Sequence, residues 1–82
     1  MAHVRPPFLA HDVTFAPGGR DVWVSSGDRG AIAVYDARTR RLRLRLSSDA
    51  PPQHVTFIGG RAYVTSGDDG LLRVHDRNTG WL

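Results

Sequence analysis

No lysine, no glutamate and no cysteine occur among the 82 residues of this chain. Its 11 basic residues are all arginine, and its 8 acidic residues are all aspartate. Two of the common straight-chain helix formers are therefore missing, while Asp, Gly and Pro favour turns. No segment shows a helical period of apolar residues, and an all-β chain is the expectation. The lack of cysteine excludes disulfides and thiol chemistry but leaves the compartment open. There is no run of about 18 apolar residues of the kind that spans a membrane, so no membrane partner is expected. The first ten residues hold His3, Arg5 and Pro6-Pro7 where an export signal needs an apolar centre, so no signal peptide is visible. A formal net charge of +3 is compatible with anionic partners and selects none.

What the chain does have is an internal repeat. Val13-Thr14-Phe15 returns as Val55-Thr56-Phe57, a shift of 42 residues. After a contraction in the next turn, Ser26-Gly27-Asp28-Arg29-Gly30 returns as Ser66-Gly67-Asp68-Asp69-Gly70, a shift of 40. Short apolar runs with Gly/Asp turns and a period in the forties are the mark of β-propeller blades. Alternation between turn signals gives seven strands, at about Val13–Ala16, Asp21–Ser26, Ala31–Asp36, Arg41–Leu46, Val55–Ile58, Arg61–Ser66 and Leu71–Asp76. The expected organisation is a stub over 1-10 that ends a preceding outer strand, blade 1 over 11-48, and blade 2 over 49-82 without its outermost strand. The fold expected is thus two blades of antiparallel strands, part of a larger or self-assembled ring.

The strands around Trp23 and Val34 carry apolar groups on both faces, as strands inside a stack of sheets must. Arg41, Arg43 and Arg45 alternate with Leu42, Leu44 and Leu46, which reads as an outer strand with one packed and one charged face. Two blades alone leave two flanks open. A flank of about 500 Å² forgoes on the order of 10 kcal/mol of burial, comparable with the whole stability of a domain. Partners expected on that basis are other propeller blades or copies of the chain itself.

Arg61-Ala62-Tyr63-Val64-Thr65-Ser66, then Leu72-Arg73-Val74-His75-Asp76 and Asn78-Thr79-Gly80, resemble the YVTN-type β-propeller repeat. The first unit fits through Val22-Trp23-Val24-Ser25-Ser26, Val34-Tyr35-Asp36 and Thr39, and Pro52-Gln53-His54-Val55 resembles the family's proline-led approach to the innermost strand. Ser66 stands where the family has asparagine, and Arg40 where Gly80 keeps a turn glycine. The resemblance implies a binding or scaffold role rather than a particular reaction, and no cofactor is expected. It also leaves open a fragment of a lactonase-type or redox-cofactor propeller enzyme.

Alternate loops of an up-and-down blade share a rim. That brings together His11, Asp12, Asp28, Arg29, His54, Asp68 and Asp69 as candidates for a ligand-facing rim. Histidine with aspartate is a donor set for a divalent metal or for acid–base work, but no fixed ligand spacing supports a metal here. Asp28, Asp68 and Asp69 are also ordinary turn residues, as are Asp36 and Asp76 ahead of Thr39 and Thr79. No serine sits in a nucleophile elbow, and no catalytic residue is assigned. Arg41, Arg43 and Arg45 are candidates for an anionic partner: an acidic protein, a small anion, or single-stranded nucleic acid stacking on Trp23, Tyr35 and Tyr63. The alternating leucines argue instead for a solvated outer strand, and the aromatics, on inner strands, for core.

Overall fold

Period-2 apolar runs closed by glycine turns produce strands and nothing else. The computed structural model describes residues 3–52, 54–66 and 70–81, and no helix occurs among them. The strands are β1 (Asp12–Phe15), β2 (Asp21–Ser25), β3 (Ala31–Asp36), β4 (Leu42–Ser47), β5 (Val55–Ile58), β6 (Arg61–Thr65) and β7 (Leu72–Asp76). They form two antiparallel meanders, a first sheet in the order β1-β2-β3-β4 and a second in the order β5-β6-β7. Both third strands end as the sequence suggests, with Asp36 and Asp76 each accepting from backbone N–H groups of the following turn.

The two sheets are one design used twice. Val13 pairs with Val24 and Val55 with Val64; Trp23 pairs with Val34 and Tyr63 with Val74; Asp21 pairs with Asp36 and Arg61 with Asp76. Every paired position of the second sheet but Ile58–Arg61 thus has its counterpart at the shift of 42 or 40. Because side chains alternate across a strand, matching registers also match the faces.

The sheets stack front to back. Trp23, Ile32 and Val34 on the front of the first sheet meet Val55, Ala62 and Val64 on the back of the second, and Leu44, Leu46 and Phe57 close the margins. Full burial of such side chains contributes about 1.5–3 kcal/mol each, so this seam is the main source of stability. The Trp23 ring stands edge-on to Phe57 at 5.5 Å and to His75 at 6.2 Å. The back of the first sheet holds a smaller cluster of Val24, Ala33 and Tyr35, partly covered by Phe8 and Val22. Trp23 and Tyr35 are therefore core residues rather than stacking platforms.

One strand departs from the alternating pattern. Val34 pairs with Leu44 but Tyr35 pairs with Leu42, so Arg43 is the extra residue of a β-bulge. A bulge turns its residue out of the regular alternation. Arg43 accordingly leaves the charged outer face and reaches the seam.

Candidate functional site

Three polar links tie the sheets together around the apolar seam. At one rim His54, just before β5, places Nδ1 3.0 Å from Asp12 Oδ2 on β1. His11 stands edge-on to the His54 ring at 5.7 Å. The β2–β3 turn closes over this group, because Gly27 donates its N–H to the carbonyl of Pro52 at 2.9 Å. Gly27 has a φ of 76°, and a side chain there would run into the His11 ring; only glycine suits both demands. His11, Asp12 and His54 are thus brought together, whereas Asp28 and Arg29 lie exposed at the turn tip, 3.9 Å apart. Asp68 and Asp69 lie outside the described residues.

The second link is on the opposite rim. The Arg43 guanidinium grips the Asp21 carboxylate through Nε at 3.2 Å and Nη2 at 2.7 Å, and donates Nη1 to the carbonyl of Asn78 at 2.8 Å. It thereby joins β2, β4 and the turn after β7 in a two-pronged geometry that suits arginine better than lysine. A cleft of about 250 Å³ opens beside it, lined by Arg20, Asp36, Arg77 and Asn78 among others. Of the three arginines proposed for an anionic partner, Arg41 and Arg45 are exposed on β4 or beside it, and Arg43 is committed to the seam.

The third link pairs Arg73 with Asp49 through Nε at 2.7 Å. Arg73 is a buried residue on the back face of β7, where the first sheet has Ala33. The sequence pattern marks it as a charge on an inner strand, and its partner comes from the segment joining the two sheets.

The chain matches no protein-family model, no curated protein and no solved structure.

No group of three or more metal-ligating side chains forms a metal site among the described residues. The carboxylates with displaced protonation are both structural. Asp36 is held below the ordinary carboxylate range, first by the Thr39 N–H and with help from the Arg38 N–H, at 2.8 and 2.9 Å. Asp76 is held low in the same way by the N–H groups of Thr79 and Asn78, both at 2.9 Å. These are Asx turns that aim the chain back into the sheet. Neither has a base or nucleophile beside it.

His75 stands on an inner strand at the place of the first unit's Tyr35. Its ring is buried, with Nδ1 2.9 Å from the carbonyl of Gly80. A carbonyl oxygen only accepts, so Nδ1 carries the proton and Nε2 of the neutral ring is an acceptor. His75 Nε2 and the donor Trp23 Nε1 are the two buried side-chain atoms without a hydrogen-bond partner among the described residues. The two rings meet edge-on across the seam, with centroids 6.2 Å apart. Histidine in place of the first unit's Tyr35 was the available signal.

Proposed function

We propose that this chain is a pair of β-propeller blades of the YVTN type and serves as a non-enzymatic interaction scaffold. One observation carries the reading. The face by which the first sheet engages the second, built on Trp23, Ile32 and Val34, reappears on the second sheet as Tyr63, Leu72 and Val74, and there Leu72 and Val74 are exposed and Tyr63 is half-buried. A unit that stacks by one face and still offers the same face is made to be extended. The rim where His11, Asp12 and His54 meet, with Asp28 and Arg29 beside it, is the ligand-facing side of this scaffold, since its His and Asp side chains from both sheets lie together under the β2–β3 turn.

The geometry favours the nucleic-acid reading less. Arg43 is held by Asp21 and the Asn78 carbonyl, and Trp23 and Tyr35 are buried, which leaves Arg38, Arg40, Arg41 and Arg45 exposed on the first sheet and Tyr63 as a half-buried ring on the second.

Binding of an apolar dye such as bis-ANS to dilute protein tests the scaffold reading. Strong fluorescence that is lost in Leu72→Lys, with the far-ultraviolet circular dichroism unchanged, is the expected result. A chain that melts cooperatively and binds no dye at any dilution has no open stacking face, and overturns the reading.

A further inference from the structure

The bare front of the second sheet and the partly bare back of the first are complementary to each other. Resting on the blade reading above, we propose that the occupant of both is a second copy of this chain, docked front to back so that the seam within one molecule is repeated between molecules.

The internal seam supplies the template. Its back half consists of Val55, Phe57, Ala62 and Val64. The counterparts on the back of the first sheet are Val13, Phe15, Val22 and Val24, which repeat the same chemistry residue for residue, with valine replacing alanine at one position. Its front half consists of Trp23, Ile32 and Val34; the counterparts Tyr63, Leu72 and Val74 keep an aromatic ring and two branched aliphatics in the same register. Placing one copy's second sheet against another's first sheet therefore sets Tyr63 edge-on to Phe15, as Trp23 stands to Phe57. Leu72, at 56% exposure, and Phe15, at 60%, are large apolar side chains left in water. This operation covers both, Phe15 against Tyr63 and Leu72 in the place that Ile32 holds in the internal seam.

The segment before β1 covers one side of that back face, where Phe8 packs on Val24, Ala33 and Tyr35, and leaves Val13 and Phe15 open. Phe8, which lies on the back of the first sheet, is by count the counterpart of Ala50, a buried residue of the connection between the sheets. Phe8 thus occupies the place that the connecting segment takes at the internal seam. The rim charges agree as well. Within the chain, Asp12 on one unit faces His54 on the next. The same translation brings the Asp12 of an incoming copy to the free side of His54, so acid and base alternate along the row. Opposite surfaces meet in this contact, so it is heterologous, and it closes a ring or runs on as a filament according to its rotation.

Sedimentation velocity of the full chain over a concentration series, with two variants, tests this. Leu72→Asp blocks the front of the second sheet, and Phe15→Asp blocks the back of the first; both positions are exposed in the isolated chain, and circular dichroism checks that each variant keeps its sheets. Wild type is expected to associate with rising concentration. Each variant alone is expected to stay monomeric at every concentration, because every contact needs one front and one back. Mixing the two restores a single contact, and a one-to-one complex of twice the monomer mass is expected, with nothing larger. A monomeric wild type overturns the proposal, as does a single variant that still dimerises, which would mean a like-to-like contact. If wild type is monomeric yet binds apolar dye, the scaffold reading stands and only the choice of a second copy fails.

Discussion

Val13 and Val55 are the same residue in the same strand and the same register, yet one is 53% exposed and the other 6%. The same holds on the other faces of the two sheets: Ile32 is sealed in the seam and Leu72 is in water. Nothing local separates the members of these pairs. Position in the stack decides, because a sheet face is buried only when another sheet lies on it. Alternating apolar residues therefore specify a capacity for burial, and the neighbouring unit determines whether it is used.

Substitutions at matched positions break or sharpen this comparison. Trp23→Ala removes the largest side chain of the seam and should cost about 3–5 kcal/mol, a large share of the stability of an ordinary domain. Tyr63→Ala, at the matched position facing outward, should cost under about 1 kcal/mol. Urea denaturation at low protein concentration measures both. A similar loss at the two sites would mean that the second sheet is covered too.

The turns after β3 and β7 offer a second pair. Arg40 and Gly80 occupy the same position with φ of 65° and 79°, a conformation that costs a residue with a Cβ about 1–2 kcal/mol. Gly80→Ala should destabilise by about 2 kcal/mol or more, adding that strain to a collision with the Leu46 side chain across the seam. Arg40→Gly should stabilise by about 1 kcal/mol by removing it. Thermal melts of the two variants should move in opposite directions.

The outer strand gives a third contrast. Arg43→Ala should cost about 1 kcal/mol through loss of the grip on Asp21 and Asn78, whereas Arg41→Ala and Arg45→Ala should stay within about 0.5 kcal/mol of wild type. Equal effects would show that the bulge does not single out Arg43.

The smallest effect is with pH. Asp36 and Asp76 have their carboxyls held below the unfolded value by turn N–H groups, so their contribution is fully present above the ordinary carboxylate range and fades as pH falls through their lowered values. Asp36→Asn with Asp76→Asn should flatten the acid limb of a stability-against-pH curve and leave its neutral plateau nearly level. An unchanged acid limb would mean that those turns do not hold the carboxylates.

Much of the fold was legible in the chain because its signals are local. The Gly/Asp turns and the apolar alternation place all seven strands, with bounds off by a residue at β1, β2, β4, β6 and β7. The repeat itself foretold that the two registers would match. The bulge was not legible. Arg41 to Leu46 alternates without a flaw, and only pairing with β3 reveals that one residue is extra and that Arg43 crosses to the seam. Of the candidate site, shared rims implied that His11, Asp12 and His54 would be neighbours, but their contacts depend on how the sheets stack, which is a long-range fact. The Arg73–Asp49 pair and the edge-on Trp23 and His75 rings were hidden for the same reason. Each unites a residue of the second sheet with one of the first sheet or of the connecting segment, and strand periodicity carries no information across that gap.

Front-to-back stacking of one unit used twice is most directly tested by placing a single tryptophan at either matched position. Trp81→Phe leaves Trp23 as the sole reporter; Tyr63→Trp with Trp23→Phe and Trp81→Phe moves the reporter to the counterpart on the second sheet. In dilute solution Trp23 should emit at short wavelength and resist acrylamide, while the reporter at position 63 should emit further to the red and be readily quenched. Equal emission and equal quenching at the two positions would contradict the stacking.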